Sequence, residues 1–138
     1  MSFLLDTNVV SEPRRRRPEE NVVAWLRGQD PDLLFVSVLT LGEIAQGAET
    51  RGRRDPVAGR SLTAWLDAIR SGYADRIVSV TAEVAETWSR LGAKRPLPVI
   101  DGLLAATALV HRLTLVTRNV RDFDGLGVRL LNPWDSMA

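Results

Sequence analysis

The 138-residue sequence contains no cysteine, one histidine and one lysine, which is Lys94. Without cysteine the chain cannot form a disulfide framework or use thiolate chemistry, and this composition suits a reducing cytoplasm. A zinc site is disfavoured for the same reason, because zinc in proteins is usually bound by cysteine and histidine side chains. If the chain binds a metal ion, we therefore expect oxygen ligands.

Long apolar segments and nucleotide-binding glycine motifs are also absent. The longest apolar stretch, residues 103–110, is too short and too interrupted to span a bilayer. The N-terminus has no basic region followed by a long apolar one, so we expect no signal peptide. Neither GxGxxG nor GxxxxGKS/T occurs, which argues against dinucleotide or P-loop binding. We therefore expect a cytoplasmic protein with no membrane contact.

The size and composition of the chain predict a single domain that covers residues 1–138. Apolar residues make up 45% of the sequence, which is enough for a sizeable core at this length. The formal net charge is only +1, so the protein as a whole is not a polycation. The positive charge is uneven, however, because four arginines stand in a row: Arg14, Arg15, Arg16 and Arg17. This run either contacts RNA phosphates or forms a solvated loop.

Short runs of aliphatic and β-branched residues alternate along the chain with longer helical patterns. The short runs show little polar alternation, as is typical of buried parallel strands. Predicted strands cover residues 3–5, 33–38, 77–80, 113–117 and 128–131. Predicted helices cover residues 19–27, 39–51, 55–71, 81–91 and 98–112. This order predicts an α/β fold with a central parallel sheet of about five strands, covered by helices on both faces.

Four acidic side chains come from separate segments that such a fold brings to one edge of the sheet. Asp6 directly follows the first strand, and Asp101 lies in the first turn of the last helix, on its apolar face. Glu43 lies early in the helix after the second strand, and Asp122 lies in the segment after the fourth strand. Ligand sites in parallel sheets lie at the carboxyl ends of the strands, so these acids are candidate site residues.

Each of these acids also has a structural explanation when it is taken alone. Asp6 can cap the helical turn that follows it, and Asp101 can favour the dipole of its helix. Glu43 can be a solvated helix residue, and Asp122 can be a turn residue. The functional interpretation depends on their convergence from well-separated segments.

Convergence of the acids has an electrostatic cost that a cation would remove. Two carboxylates about 5 Å apart repel each other by roughly 3 kcal/mol at an effective dielectric near 20. Oxygen-only ligands suit Mg²⁺, with Mn²⁺ as the alternative ion. A hard cation at this edge can activate a water molecule and stabilise a phosphate transition state. The residues therefore indicate that Asp6 ends its strand in order to hold metal.

Four segments resemble, in order and along nearly the whole chain, the motifs of the PIN-domain ribonucleases. They are LLDTNVVSE, SVLTLGEIAQGAE, PVIDGLLAATAL and LVTRNVRDFDGLGVRLLNPW. The chain looks most like the VapC and FitB kind, which are toxins of type II toxin–antitoxin modules. The resemblance implies a three-layer α/β/α PIN fold and a Mg²⁺- or Mn²⁺-dependent endoribonuclease that cleaves RNA phosphodiester bonds. It also implies a homodimer or a higher toxin–antitoxin assembly, neutralised by a cognate VapB- or FitA-like antitoxin.

The resemblance also assigns roles to individual residues. The acidic site of the family maps onto Asp6, Glu43 and Asp101, and of these Asp6 and Asp101 are expected to bind the metal ion. We assign Asp122 as the fourth acid, although many relatives have an acid at the position that Asn119 occupies here. Three residues are expected to hold the acids or water in place: Asn8, Thr117 and Asn119.

Two other functions remain as alternatives. The same fold can be catalytically inactive and act as a binding module for RNA or an antitoxin, and metal-dependent cleavage of RNA separates these two interpretations. A phosphatase or receiver domain on a flavodoxin-like sheet is disfavoured. A receiver has adjacent acids after its first strand and a lysine after its last, whereas Lys94 precedes the fourth predicted strand.

Overall fold

A computed structural model describes residues 1–135 of the chain. The strands are β1 (Phe3–Leu5), β2 (Leu34–Ser37), β3 (Ile77–Val78), β4 (Thr114–Val116) and β5 (Leu130–Leu131). The helices are α1 (Thr7–Ser11), α2 (Glu20–Arg27), α3 (Val38–Gly52), α4 (Pro56–Tyr73), α5 (Ala82–Lys94) and α6 (Val99–His111). Short 3₁₀ turns lie at Glu12–Arg14, Pro31–Leu33, Ala74–Arg76 and Val120–Phe123.

The five strands are all parallel and form one sheet in the order β3-β2-β1-β4-β5. The central strand β1 pairs Phe3 with Leu34 of β2 and Leu5 with Val116 of β4. The chain builds outward from β1 through β2 to β3, and then crosses to β4 and β5 on the other side. The switch point therefore lies between β1 and β4, where open parallel sheets bind ligands. The predicted α/β fold with a five-stranded parallel sheet is confirmed.

Two apolar clusters cover the two faces of the sheet and produce three layers. On one face Leu4 and Leu115 pack against α5 and α6. On the other face Leu5 and Val36 pack against α1, α2 and α4. Successive strand residues point to opposite faces, so short strands that are buried throughout supply both clusters.

Helices α3 and α4 form a hairpin that extends beyond the carboxyl edge of the sheet. α3 begins at that edge, directly after β2, and packs mainly on α4. The second half of α4 returns over the sheet, where Trp65, Ile69 and Tyr73 pack against the core. Near the tip the helices approach so closely that a Cβ atom on Gly59 would lie 2.5 Å from the Cα atom of Gly52. The hairpin therefore forms a closely packed wall beside the carboxyl edge.

The observed helices agree with the predicted ones within a few residues, whereas the edge strands are shorter than predicted. β5 covers only residues 130–131 instead of 128–131, and β3 ends at Val78 instead of residue 80. β3 and β5 are the edge strands, and each pairs with one neighbouring strand only. The hydrogen bonds of an edge strand therefore end where that neighbour ends. Among residues 1–135, no helix combines the length and the apolar character needed to cross a membrane.

Candidate active site

Asp6 is fixed at the carboxyl end of the central strand through its backbone and its side chain. Its N–H donates to the carbonyl of Val116 at 2.9 Å, and its own carbonyl accepts from the N–H groups of Val9 and Val10. One carboxylate oxygen accepts from the N–H of Thr7 at 2.7 Å and caps α1. The residue is only 8% exposed. The capping expected for Asp6 is therefore present, and it leaves the second oxygen free for other contacts.

Thr117, which follows β4, holds the second carboxylate oxygen of Asp6. Its hydroxyl donates to Asp6 Oδ2 at 2.8 Å and accepts from the N–H of Asn119 at 3.1 Å. Asn8 donates to the same Asp6 oxygen at 3.4 Å and accepts from the N–H of Arg118, also at 3.4 Å. The three predicted supporting residues therefore form one hydrogen-bonded network with Asp6.

Glu43 extends from α3 to the same region and is held by Thr7. The hydroxyl of Thr7 donates to Glu43 Oε1 at 2.6 Å, while its backbone N–H is bonded to Asp6. The hydroxyl of Thr40, a fully buried residue one helical turn before Glu43, lies 3.3 Å from the hydroxyl of Thr7. Thr7 therefore links two acids from different elements and orients the otherwise exposed Glu43.

Thr7 and Thr40 are site residues that the sequence prediction missed. A threonine directly after a strand-ending acid is only a weak signal, because threonine there commonly bonds to nearby backbone groups. A threonine one turn before a helical glutamate is equally unremarkable in a sequence. Their contact depends on the packing of α1 against α3, which no local pattern encodes.

Asp101 lies in the first turn of α6, beside a close contact between α5 and α6. A Cβ atom on the neighbouring Gly102 would lie 2.8 Å from the indole ring of Trp88 in α5. Only glycine fits at this position without displacing that ring, because protein interiors are close-packed. The contact fixes the helical turn that carries Asp101, whose own side chain remains partly exposed.

Asp122 lies in the 3₁₀ turn that follows β4, and this turn is tied to α5. The guanidinium group of Arg95 donates to the carbonyls of Asp122 at 2.8 Å and Asp124 at 2.9 Å. Phe123, which is 1% exposed, anchors the turn in the core. Asn119 contributes through its backbone, since its carbonyl accepts from the N–H of Asp122 at 3.0 Å. The exposed carboxylate of Asp122 therefore lies on a turn that is fixed by hydrogen bonds from Arg95 and by the buried side chain of Phe123.

The charges of the acids act on one another across these elements. Burial raises the pKa of Asp6, and the negative charge of Glu43 raises it further, although hydrogen bonds from two neighbouring threonines lower it. Burial also raises the pKa of Asp101, and the charges of Asp6 and Asp122 add to that increase. The charges of the four predicted acids are therefore coupled in pairs: Asp6 with Glu43, Asp6 with Asp101, and Asp101 with Asp122.

The chemistry of this donor set suits a hard divalent ion. The side chains around the edge offer carboxylate and hydroxyl oxygens, which Mg²⁺ and Mn²⁺ prefer. Within residues 1–135, no three histidine, aspartate or glutamate side chains form a ready-made cluster for a metal ion. Mg²⁺ usually keeps several waters and binds only one or two carboxylates, so a pair such as Asp6 and Asp101 is sufficient.

Asp101→Asn is expected to leave the stability of the metal-free protein unchanged or to raise it. Burial raises the pKa of Asp101 in the folded chain, and repulsion by Asp6 and Asp122 raises it further. The wild type therefore loses stability as the pH rises from the ordinary aspartate value of 3.8 through the folded pKa. The variant has no such loss, so its advantage should appear at neutral pH and disappear in acid. Thermal melts in EDTA across this pH range measure the difference.

Added Mg²⁺ provides the matching control. An ion that binds only the folded state stabilises the protein by mass action, so Mg²⁺ should raise the melting temperature of the wild type more than that of the variant. A variant that melts below the wild type in EDTA at neutral pH would show that Asp101 has a structural role such as stabilising its helix.

The arginine run after α1 divides into two pairs in the structure. The guanidinium group of Arg14 lies 4.6 Å from the centre of the Trp65 ring. Arg15 forms a 3.3 Å ion pair with Glu12, which is 3% exposed. The last two arginines of the run are exposed and have no side-chain partner among residues 1–135. RNA contact by this run stays a prediction, and its second half is the part without contacts to other side chains of the described residues.

Comparison with known proteins identifies the family to which this chain belongs. The PIN domain family matches residues 3–127. This chain therefore belongs to the PIN domain family, and the predicted family is confirmed.

The relatives of the chain include toxins and ribonucleases of similar length. Toxin FitB of Neisseria gonorrhoeae is 33% identical over 139 residues, which cover 96% of this chain and 98% of that protein. VapC ribonuclease Y4jK of Sinorhizobium fredii is 33% identical over 148 residues, with the same coverage of 96% and 98%. The crystal structure of FitAcB from Neisseria gonorrhoeae matches with a TM-score of 0.84 and 33% identity, over 97% of this chain and 99% of that one.

Proposed function

We propose that this chain is the toxic component of a type II toxin–antitoxin system and acts as a metal-dependent endoribonuclease. One observation carries the proposal. Asp6 ends the central strand beside the switch point of the sheet, is joined to Glu43 through Thr7, and lies close enough to Asp101 for the two charges to interact. Likeness to a protein named a toxin and to one named a ribonuclease supports this function.

In this proposal Asp6 and Asp101 bind a Mg²⁺ or Mn²⁺ ion, and Glu43 and Asp122 complete the acidic site. The ion, when bound, supplies activation of a water molecule and neutralises charge on the phosphate. Hydrolysis joins the water oxygen to phosphorus and breaks the bond from phosphorus to one ester oxygen, which leaves with a proton. The acids therefore have to remain ionised and correctly oriented in the folded protein.

The surrounding hydroxyl groups supply that orientation. Thr117 and the backbone of Thr7 each hold one oxygen of Asp6, at 2.8 and 2.7 Å. The hydroxyl of Thr7 holds Glu43 at 2.6 Å. Groups that are fixed before the reaction need no reorganisation in the transition state, which is a large source of catalytic power.

Asp122→Asn is expected to slow RNA cleavage by roughly tenfold or more, equivalent to about 1.4 kcal/mol of transition-state stabilisation. Asn119→Ala should have a much smaller effect. The charge of Asp122 acts on Asp101, whereas Asn119 contributes to the turn and the network through backbone groups that alanine retains. Initial rates of both variants at one Mg²⁺ concentration measure the difference. Small and equal effects would mean that three acids suffice and that the turn only shapes the groove.

We also propose that an antitoxin encoded beside this chain inhibits it. A free nuclease of this kind would harm its own cell, and the exposed acids offer a target for a cationic side chain. Arginine fits that target because its planar guanidinium group donates two hydrogen bonds to a carboxylate. The rest of the antitoxin would lie as an extended or helical segment in an apolar groove. We further propose a homodimer, which light scattering of the purified chain would test.

The proposed activity is tested by incubating the purified chain with cellular RNA in Mg²⁺ and in EDTA. We expect cleavage in Mg²⁺, none in EDTA, and recovery when excess Mn²⁺ is added to the EDTA sample. The alternative function, a catalytically inactive module that binds RNA or an antitoxin, predicts RNA binding without cleavage in all three conditions.

A further inference from the structure

The tip of the α3–α4 hairpin carries a cluster of positive charge that the proposed reaction does not use. Four arginines lie between residues 51 and 60: Arg51, Arg53, Arg54 and Arg60. All four are exposed, and none forms a side-chain hydrogen bond or an ion pair with another of residues 1–135. The one acid in this segment, Asp55, accepts from the N–H of Ala58 at 3.1 Å and caps α4. Four arginines and one aspartate leave residues 51–60 with a formal net charge of +3.

The two helices pack closely against each other at the tip that carries these side chains. Gly52 and Gly59 bring the two helices into direct backbone contact. Arg53 and Arg60 line a groove of about 580 Å³ beside that contact, together with two acidic residues. The other two arginines line a second depression at the tip, of about 450 Å³. Both depressions at the tip are therefore lined by two arginines and at least one acid.

Helix α3 carries both Glu43 and Arg51, so helix geometry sets the distance between the acids and the tip. Eight residues at about 1.5 Å per residue place Arg51 about 12 Å beyond Glu43 along the helix axis. A stacked strand advances about 3.4 Å per nucleotide, so this distance corresponds to roughly three or four nucleotides. An RNA strand that runs along α3 from the acids therefore reaches the tip within a few nucleotides.

The electrostatics of the site favour a contribution from such a cluster. The acids at the carboxyl edge repel the phosphates of a substrate, and the net charge of +1 gives the whole protein little attraction for RNA. Without a bound ion the acids do not attract the strand, so cationic side chains near the acids but outside them would add affinity for RNA. In the run after α1, Arg14 and Arg15 contact other side chains of the protein, which leaves two arginines there without a partner in the described part of the chain, whereas all four arginines of the hairpin tip lack one.

We propose that the hairpin tip binds the backbone phosphates of the RNA strand on one side of the cleavage position. This inference rests on the proposed nuclease function and specifies which part of the substrate the hairpin holds. Guanidinium groups suit the task because they donate two hydrogen bonds to one phosphate. Phosphate contacts position a strand without reading its sequence, so the tip contributes affinity and register and not base specificity.

The test measures RNA binding separately from cleavage, in EDTA and with Asp6→Asn as the parent protein. Two RNAs are compared, a short one that reaches only the acids and a longer one that also reaches the tip. The hairpin variant carries three substitutions, R51Q, R53Q and R54Q. The control variant removes the same charge from exposed positions outside the hairpin, through R27Q, R90Q and R129Q.

The hairpin variant is expected to bind the longer RNA roughly tenfold more weakly or worse, with a smaller loss for the short RNA. The slope of log affinity against log salt should fall by about 2, since each of three lost single-strand phosphate contacts contributes about 0.7. The control variant should bind both RNAs as the parent does. Thermal melts of the two variants establish that both are folded.

Equal affinities and salt slopes for the hairpin and control variants would overturn the proposal. So would intact RNA binding combined with lost binding to the product of the adjacent gene, because the tip would then serve a protein partner. A wild type that does not cleave RNA, with the hairpin effect on binding still present, would refute the nuclease function and leave the RNA-binding surface supported.

Discussion

Replacing Asp6 with asparagine is expected to slow RNA cleavage at least about a hundredfold, because a bound metal ion supplies several kcal/mol and each 1.4 kcal/mol corresponds to a tenfold change in rate. Asp6 is buried at the switch point and is held on both oxygens by Thr7 and Thr117, so no other carboxylate can take its position. Initial rates with a labelled RNA at a fixed Mg²⁺ concentration measure the loss.

The asparagine variant should retain the fold. Its side-chain oxygen can still accept from the N–H of Thr7, and its amide group can donate to the hydroxyl of Thr117. Glu86→Gln, which removes an exposed acid from α5, is the matched control and should cleave RNA at the wild-type rate. If a folded Asp6→Asn/Asp101→Asn double variant cleaved RNA as fast as the wild type, the assignment of the site would be wrong.

Expression of this chain alone is expected to slow the growth of a bacterial host, and Asp6→Asn is expected to restore normal growth. The proposed harm comes from RNA cleavage, which the substitution removes without removing the protein. Co-expression of the adjacent small gene should also restore growth, because its product is the proposed antitoxin. Growth curves after induction measure all three conditions.

Protein levels decide how the growth experiment is interpreted. Immunoblots should show equal amounts of the wild type and Asp6→Asn. The control variant Glu86→Gln, which changes an exposed acid outside the site, should slow growth as much as the wild type does. Equal slowing of growth by the wild type and Asp6→Asn at matched levels would show that the harm does not come from the acidic site.

The layout of the fold and the meeting of the acids follow from patterns that are local in the sequence. Apolar runs without alternation predict the buried strands, and helical spacing predicts the helices between them. Parallel topology then brings the residue after β1, Asp6, and the first turn of α6, Asp101, to one edge. In the structure Thr7 links Asp6 to Glu43 through hydrogen bonds, and the charge of Asp6 raises the pKa of Asp101, which burial also raises.

The contacts that the sequence did not reveal are those made between elements. The link from Thr7 to Glu43 requires α1 to meet α3, and the stacking of Arg14 on Trp65 requires the turn after α1 to meet α4. Each side chain is ordinary in its own segment, so no periodicity marks it. The same reason explains why the sequence alone could not divide the run of four arginines into those that contact other side chains and those that do not.

The hairpin tip illustrates a second limit. Its arginines are spread over two helix ends and a turn, so in the sequence they resemble the solvated charges of any surface helix. Their significance comes from the direction of α3, which leaves the carboxyl edge instead of returning over the sheet. α3 packs mainly on α4 and approaches it closely at Gly52 and Gly59, a contact that is not evident before the fold is known.

Direct metal binding is the measurement that tests the proposed acidic site most closely. Mn²⁺ is titrated into the metal-free protein, and the paramagnetic resonance signal of the free ion is followed. The wild type should remove Mn²⁺ from solution, Mg²⁺ should compete for the same site, and Asp6→Asn/Asp101→Asn should lose the binding while remaining folded. Equal binding of Mn²⁺ by the wild type and the double variant would contradict a metal site formed by these carboxylates.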